Sequence, residues 1–98
     1  SLPPYINTPE IRFDCAEDRK FVVIDEVHER LLGGDGYTVN DIDGVRVENA
    51  DGWWLLRASN TQAVLVARCE SKDKAGLARL KKTLAAQLRK SGIEPPVF

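Results

Sequence analysis

The sequence predicts an α+β domain: an antiparallel sheet of four to five strands with two helices packed on one face. The predicted order of elements is strand, helix, three or four strands, helix, and strands that follow one another in the chain favour antiparallel pairing. At 98 residues, 43% of them hydrophobic and 30% charged, the chain has the length for one domain with one core. No internal repeat or low-complexity segment interrupts this pattern.

Residues 1–9 are expected to form an extended lead-in to a domain at residues 10–98. The lead-in contains three of the five prolines, and proline restricts a chain to extended and turn conformations. Its opening at Leu-Pro-Pro, with no methionine anywhere in the sequence, is typical of a segment from a longer protein. Glu10–Cys15 then alternates polar and apolar residues, which predicts a strand with one buried face.

The first helix is expected to begin at Glu17 and Asp18, because acidic side chains are stabilised at the positive end of the helix dipole. Gly33-Gly34 should end it, since glycine adopts the left-handed conformation common at helix C-termini. Between these limits apolar residues recur at helical spacing. The predicted buried stripe consists of Phe21, Ile24, Val27 or His28, and Leu31.

Short strands joined by turns are predicted from residue 37 to residue 70. Asp43-Gly44 and Asn49–Gly52 form the first turns, and the polar segment Ser59–Gln62 joins the last two strands as a hairpin. Trp53 and Trp54 should point to opposite faces, so that one enters the core and the other packs on the sheet surface. The predicted strands are Tyr37–Asn40, Val45–Glu48, Trp53–Ala58 and Ala63–Glu70.

The last helix is expected to follow a capping Ser71, with Asp73 in its first turn, and to end at Gly92. Its apolar stripe consists of Leu77, Leu80, Leu84 and Leu88. Its basic residues lie outside that stripe and are Arg79, Lys81, Lys82, Arg89 and Lys90. The helix therefore presents one apolar face and one basic face.

Charge is divided unevenly along the chain, although its total is −1. Residues 1–51 carry 12 acidic and 5 basic side chains, whereas residues 52–98 carry 3 and 9. A basic half attracts phosphate, nucleic acid or an acidic partner, and it is also common as a solvated helix face. A nucleic-acid or acidic-partner binding module built on the last helix is therefore an alternative function. The near-neutral total and the lack of a nucleic-acid motif argue against nucleic acid as a partner.

Neither membrane insertion nor secretion is predicted. The longest apolar run, Ala63–Ala67, is far shorter than the roughly 20 residues of a membrane span, and no signal-peptide pattern is evident. Cys15 and Cys69 lie far apart, without a Cys-x-x-Cys pair. Such usage argues against a disulfide framework or a zinc site and favours a cytoplasmic location. We expect both thiols to be small core residues.

Arg57–Thr61, between the two strongest predicted strands, is the candidate site for chemistry. A phosphate dianion requires several converging donors, and the Arg57 guanidinium can donate two parallel hydrogen bonds. Ser59, Asn60 and Thr61 add hydroxyl and amide donors, and backbone N–H groups in a tight turn bind anions. The same residue types also suit any polar turn, and taken alone they favour that plainer interpretation.

Two other polar segments have plain structural interpretations. His28 is the only histidine, and without a visible partner it is expected at the surface or at a rim rather than in acid–base catalysis. Asp41-x-Asp43-Gly44 lacks the further ligands of a calcium loop and is expected to be a turn. We therefore predict no metal site.

Several short motifs occur in a characteristic order over nearly the whole chain. They are Thr8–Ile11, Asp43–Val47, Gly52–Leu56, Arg57–Thr61 and Glu70-Ser71. In this order they resemble the C-terminal domain (domain 4) of the α-D-phosphohexomutases, the family of phosphomannomutase and phosphoglucomutase. Each motif is short, and the resemblance depends on their combination.

The resemblance implies a specific activity. Members of this family are four-domain enzymes that interconvert the 1-phosphate and 6-phosphate of a hexose, glucose and/or mannose, through a phosphoserine, a bound Mg²⁺ and a hexose 1,6-bisphosphate intermediate. Their last domain has a TATA-binding-protein-like fold, binds the substrate phosphate that is not reacting and closes over the active site. By the resemblance, Arg57, Ser59, Asn60 and Thr61 would bind that phosphate, assisted by backbone N–H groups around Ala58.

The family's phosphoserine loop, metal loop and sugar-reading segment do not occur in this sequence. The resemblance therefore implies no catalytic residue, no metal site and no bound cofactor within this chain, which alone is expected to be inactive. Its expected partners are the phosphosugar substrate and the other three domains of the same enzyme, joined through a hinge near residues 1–4. The family's loop usually has a proline two positions after its threonine. Gln62-Ala63 stands there instead, which is expected to leave the donors in place and to reduce the stiffness of the loop.

Overall fold

The computed structural model describes residues 5–98, so the expected hinge at residues 1–4 lies outside the described residues. Six strands and two helices follow one another along the described chain. They are β1 (Ile6–Asn7), β2 (Ile11–Asp14), α1 (Lys20–Leu31), β3 (Tyr37–Asn40), β4 (Val45–Asn49), β5 (Gly52–Ala58), β6 (Val64–Ser71) and α2 (Lys74–Lys90). The order agrees with the predicted α+β class, with one strand more than expected.

The strands form one antiparallel sheet in the order β1-β6-β5-β4-β3, and β2 pairs with the same edge of β6 as β1 does. The extra strand, β1, lies within the predicted lead-in, where Ile6 pairs with Ser71. Thr8 continues the attachment, since its N–H donates to the Cys69 carbonyl at 2.9 Å and its hydroxyl oxygen accepts from the Cys69 N–H at 3.0 Å. Pro9 separates β1 from β2 because proline cannot donate to a strand ladder.

Both helices cover one face of the sheet, as predicted. Trp54 of β5 pairs with Cys69 of β6 and Val47 of β4, so all three side chains point to the same side, where they are buried. The core between sheet and helices also contains Val23 and Val27 of α1 and the fully buried leucines of α2, which are Leu80, Leu84 and Leu88. The predicted leucine stripe is confirmed, and Leu77 packs at its edge. Cys15 and Cys69 are buried free thiols, which confirms their predicted place in the core.

The prediction for α1 was wrong in its start and in part of its buried stripe. The helix begins at Lys20, three residues after Glu17, and its buried residues include Lys20 itself. Phe21 is 52% exposed, whereas Val23 is fully buried. The apolar pattern missed this register because a charged lysine occupies the first inward position and shifts the stripe by one residue. Gly33 ends the helix with φ +78°, as expected.

The predicted cap of α2 was also wrong. Asp73 is the N-cap residue, and its carboxylate accepts from the Gly76 N–H at 2.7 Å. Ser71 instead ends β6, fully buried, and its hydroxyl donates to the Asp51 carbonyl at 2.6 Å. Gly92 follows the C-terminus of α2 with φ +78°, as predicted. Neither α1 nor α2 combines the length and the apolar content that crossing a bilayer requires.

Candidate functional site

The candidate turn lies at the end of the most extensively paired hairpin in the sheet. β5 and β6 pair over seven residue positions, from Gly52↔Ser71 to Ala58↔Leu65. At the end of this ladder the Ser59 N–H donates to the Val64 carbonyl at 3.1 Å. The hairpin is fixed to the core through Trp54 and Leu56, both buried. The turn is therefore carried on a part of the sheet with little freedom to shift.

Ser59 shapes the turn from inside. Its side chain is buried, and its hydroxyl oxygen accepts from the N–H groups of Thr61 and Gln62 at 3.3 and 3.1 Å. This arrangement is the local hydroxyl–backbone bond that stabilises polar turns. The Ser59 hydroxyl proton remains available to a further acceptor. Asn60 and Thr61 are exposed at the tip of the turn.

Two backbone donors of the turn face away from the ladder. Because the Ser59 N–H points to β6, alternation along the strand points the Ala58 N–H to the opposite side, beyond the last β4–β5 pair, Val45↔Leu56. Among residues 5–98, no protein group accepts from the Asn60 N–H. Together with the exposed Asn60 amide, these N–H groups are donors that the described part of the chain leaves available, and backbone N–H groups in turns are common elements of anion sites.

Arg57 lies at the entrance to the turn on the sheet face opposite the helices, since its neighbour Leu56 points into the core. One-third of its side chain is exposed, and its guanidinium Nη2 lies 3.5 Å from a carboxylate oxygen of Glu10. Arg12 contacts the other oxygen of Glu10 at 3.4 Å. Exposed pairs at this separation contribute little free energy. The Arg57 guanidinium is therefore held loosely and can exchange Glu10 for another anion.

A cavity of about 270 Å³ adjoins the turn. It lies between α1, the β3–β4 turn and the end of β5. Its lining residues are Phe21, Ile24, Asp25, His28, Asp41, Ile42, Asp43, Gly44, Arg57, Ala58 and Asn60. Three carboxylates line the cavity, whereas the donor groups for an anion lie at its border with the turn. Hydroxyl groups of a ligand can donate to such carboxylates while its anionic group occupies the turn.

The five predicted site residues lie together at one end of the β5–β6 hairpin: Arg57 and Ala58 end β5, and Ser59, Asn60 and Thr61 follow in the turn, with Ser59 directed inward. Sequence reasoning missed Glu10, because no local pattern indicates a carboxylate that lies opposite Arg57 across β6. His28, which was expected at the surface or at a rim, is half-buried and lines the cavity. Among residues 5–98, no group of three or more His, Cys, Asp or Glu side chains is arranged to hold a metal ion.

Residues of the other candidate surfaces also make contacts within the chain. Trp53 packs on the sheet surface, with Arg46 at 4.4 Å from its ring centre, and its indole N–H donates to Glu70 at 3.0 Å. On the basic face of α2, Arg79 donates two hydrogen bonds to Asp51, at 2.7 and 2.8 Å. The predicted surface packing of Trp53 is therefore confirmed.

Comparison with known proteins agrees with the arrangement of these elements. Residues 10–87 match the sequence model of the family described as phosphoglucomutase/phosphomannomutase, C-terminal domain. A phosphomannomutase/phosphoglucomutase of Pseudomonas putida is 42% identical over 95 residues, covering 97% of this chain and 20% of that protein. A phosphoglucomutase of Neisseria meningitidis is 37% identical over 87 residues, covering 88% of this chain and 19% of that protein.

A solved structure has the same fold. The X-ray structure of a phosphoglucomutase/phosphomannomutase family protein from Burkholderia thailandensis matches with a TM-score of 0.75 and 35% identity, covering 93% of this chain and 19% of that one. The chain thus spans about one-fifth of the length of the relatives it matches. The family match extends over most of the sequence and includes the whole of the candidate turn. The chain belongs to the phosphoglucomutase/phosphomannomutase family and corresponds to its C-terminal domain.

Proposed function

We propose that the chain acts as the C-terminal domain of a phosphohexomutase and binds, through the turn Arg57–Thr61, the phosphate of the sugar substrate that is not transferred. The intact enzyme would interconvert hexose 1-phosphate and 6-phosphate, with glucose and/or mannose as the sugar. The observation that supports the proposal is the presence of available donors at one end of a hairpin, the N–H groups of Ala58 and Asn60 beside the loosely paired Arg57, in a chain whose family is named for phosphosugar substrates.

Phosphate binding would use donors of three kinds. The backbone N–H groups of Ala58 and Asn60 would be the first kind, and the exposed side chains of Asn60 and Thr61 would be the second. The Arg57 guanidinium would leave Glu10 and donate to the phosphate, whose charge of about −2 attracts it more strongly than a single carboxylate does. Ser59 keeps the turn in shape and has one proton to donate.

The adjoining cavity suits the sugar ring of such a substrate. Hexose hydroxyls are donors, and the carboxylates of Asp25, Asp41 and Asp43 line the cavity beside the turn. A free anion gains nothing from these carboxylates, because like charges repel. We therefore expect a phosphosugar to bind more tightly than inorganic phosphate.

A remote phosphate contact contributes to catalysis without touching the reacting atoms. Binding free energy from a group that does not react orients the reacting end of the substrate. Carried on a separate domain, the contact also favours closure over the active site, which excludes water from a phosphorylated enzyme. The expected partners for this closure are the other three domains of the same enzyme.

The Mg²⁺ and the hexose 1,6-bisphosphate of the intact enzyme remain predictions from the family resemblance. The described residues provide no group of three or more metal-ligating side chains, so no catalytic step is assigned to a metal within this chain. We expect the 98-residue chain alone to show no mutase turnover. A measurable rate from glucose 1-phosphate with this chain alone would contradict that expectation.

An amide chemical-shift titration tests the proposed function. Glucose 1-phosphate should shift resonances of residues 57–61, and Arg57→Ala should weaken that response. Arg46→Ala is the matched control, because Arg46 lies on the same sheet face with a similar exposed fraction and packs on Trp53 instead. Shifts confined to residues 72–90 on addition of an oligonucleotide would favour the nucleic-acid alternative. No response of residues 57–61 at high millimolar phosphosugar would refute phosphate binding by this turn.

A further inference from the structure

We propose that Arg12 and Lys20 are positioning residues for phosphate binding, and that both act through Gln62, the residue that follows the turn. This inference rests on the proposed function of Arg57–Thr61. Neither Arg12 nor Lys20 belongs to the turn, and they come from different elements, β2 and α1. Their common target is one glutamine, which holds the turn at the end opposite Arg57.

Gln62 is bonded through three of its groups. Its N–H donates to the Ser59 hydroxyl oxygen at 3.1 Å, within the turn. Its backbone carbonyl accepts from the Lys20 ammonium at 2.9 Å. Its side-chain carbonyl accepts from the Arg12 guanidinium at 2.6 Å. A residue fixed in both backbone and side chain has few positions open to it, so the exit of the turn is well defined.

Lys20 connects the turn to the core of the domain. Its side chain is fully buried, although its only ion-pair partner in the described part of the chain, Glu17, is 70% exposed. A buried ammonium is stabilised only when its protons are donated to good acceptors. Glu17 at 2.8 Å and the Gln62 carbonyl supply two of these. Because α1 is packed through Val23 and Val27, this bond fixes the turn relative to the core.

Arg12 connects the two ends of the turn across the sheet. It pairs in register with Val66 of β6, which in turn pairs with Arg57 of β5. From this place it reaches Gln62 at 2.6 Å and Glu10 at 3.4 Å, and Glu10 reaches Arg57 at 3.5 Å. The side chains thus form a continuous polar chain from the first residue of the turn to the residue after it. If the Arg57 guanidinium leaves Glu10 to bind phosphate, the hydrogen bond from Arg12 to the Gln62 side chain remains in place.

Arg12 can be tested with inorganic phosphate and the 98-residue chain, by amide-shift titration of four proteins: wild type, Arg12→Ala, Gln62→Ala and the double variant. Each single variant should raise the Kd for phosphate by roughly threefold to tenfold, which is the change expected from the loss of one hydrogen bond. The double variant should bind no more weakly than Gln62→Ala alone, because Arg12 acts through that side chain. Arg46→Ala, which removes a like charge from the same face, should leave the Kd near the wild-type value.

The role of Lys20 can be distinguished from a general loss of stability by measuring the order of the turn itself. In Lys20→Met, which keeps the apolar stem, backbone order parameters at residues 60–62 should fall while those of β5 stay unchanged. Unchanged order parameters at residues 60–62 in a folded Lys20→Met would overturn the role of Lys20, because the bond of Lys20 to the Gln62 carbonyl would then not restrain the turn. The Arg12 and Gln62 cycle decides the role of Arg12 separately, through the Gln62 side chain. Additive losses in the double variant, or an unchanged Kd in Arg12→Ala, would overturn it. No response of the wild-type turn to either inorganic phosphate or glucose 1-phosphate would overturn the proposed function itself, which is a distinguishable result.

Discussion

Replacement of Gly44 by alanine should destabilise the domain and displace Arg57. Gly44 lies in the β3–β4 turn with φ +83°, directly against β5. An alanine Cβ at this position would lie 2.7 Å from the Arg57 Cβ and 2.8 Å from its Cα, and it would also overlap the Leu56 carbonyl oxygen. Gly33 is the matched control, because it has φ +78° and an added Cβ would meet nothing within 4 Å.

Both variants are destabilised by backbone strain at a left-handed position, and only Gly44→Ala is also destabilised by steric overlap. A left-handed conformation costs an alanine about 1 kcal/mol at either position. Overlap with packed neighbours costs about 1 to 3 kcal/mol more. At Gly44 the neighbours are two backbone atoms of β5 and the Arg57 Cβ attached to that backbone, which move little. We therefore expect the free energy of unfolding to fall by about 1 kcal/mol in Gly33→Ala and by about 2 to 4 kcal/mol in Gly44→Ala.

Urea unfolding followed by tryptophan fluorescence measures this difference, since Trp54 is buried in the core. Phosphate titration of the folded variants supplies the functional readout. Gly44→Ala should weaken phosphate binding because it shifts Arg57, and Gly33→Ala should leave binding unchanged. Equal losses of stability in the two variants would refute the steric argument. Normal phosphate affinity in a folded Gly44→Ala would refute the link to Arg57.

The remaining predictions concern charge and thiol chemistry. Glu10→Gln should tighten phosphate binding, because it removes the carboxylate that competes for Arg57, and a higher Kd would contradict this. Hydrogen bonds from Arg79 hold the pKa of Asp51 below its usual range. The free energy of unfolding of the wild type should therefore fall more steeply than that of Asp51→Asn as the pH drops below about 4. Parallel acid-unfolding curves of the two proteins would contradict this prediction. Burial raises the pKa of the Cys69 thiol to about 11, so a thiol reagent at pH 8 should label this residue only after unfolding.

The parts of the fold predicted correctly are those that local patterns determine. Leu80, Leu84 and Leu88 repeat at helical spacing without interruption, so their burial follows from periodicity alone. Where α1 departs from prediction, the cause is Lys20, a charged residue whose burial depends on a carbonyl 42 positions away. Similarly, β1 pairs with Glu70-Ser71, and Thr8 after it bonds to Cys69, partners that no local pattern reveals.

The candidate site divides in the same way. Its location at Arg57–Thr61 follows from composition between two strong strands. The residues around the site cannot be predicted from composition. Glu10 contacts Arg57, and Arg12 contacts Gln62, only because β2 pairs with β6. Sequence reasoning expected the turn to lack stiffness where Gln62-Ala63 replaces a proline. The three bonds to Gln62 supply a restraint of another kind.

The attachment of β1 to β6 has a mechanical consequence. Ile6 pairs with Ser71 at one end of β6, and the turn begins beyond Val64 at the other end. Seven residue steps of about 3.3 Å separate these ends, so the turn lies roughly 23 Å from the end of β6 that pairs with β1. If the domain rotates by about 10° about the end of β6 that pairs with β1, the turn moves by roughly 4 Å, which is enough to make or break hydrogen bonds to the turn. A small rotation of the whole domain about this end would therefore be enough to make or break the proposed anion contacts without any internal rearrangement.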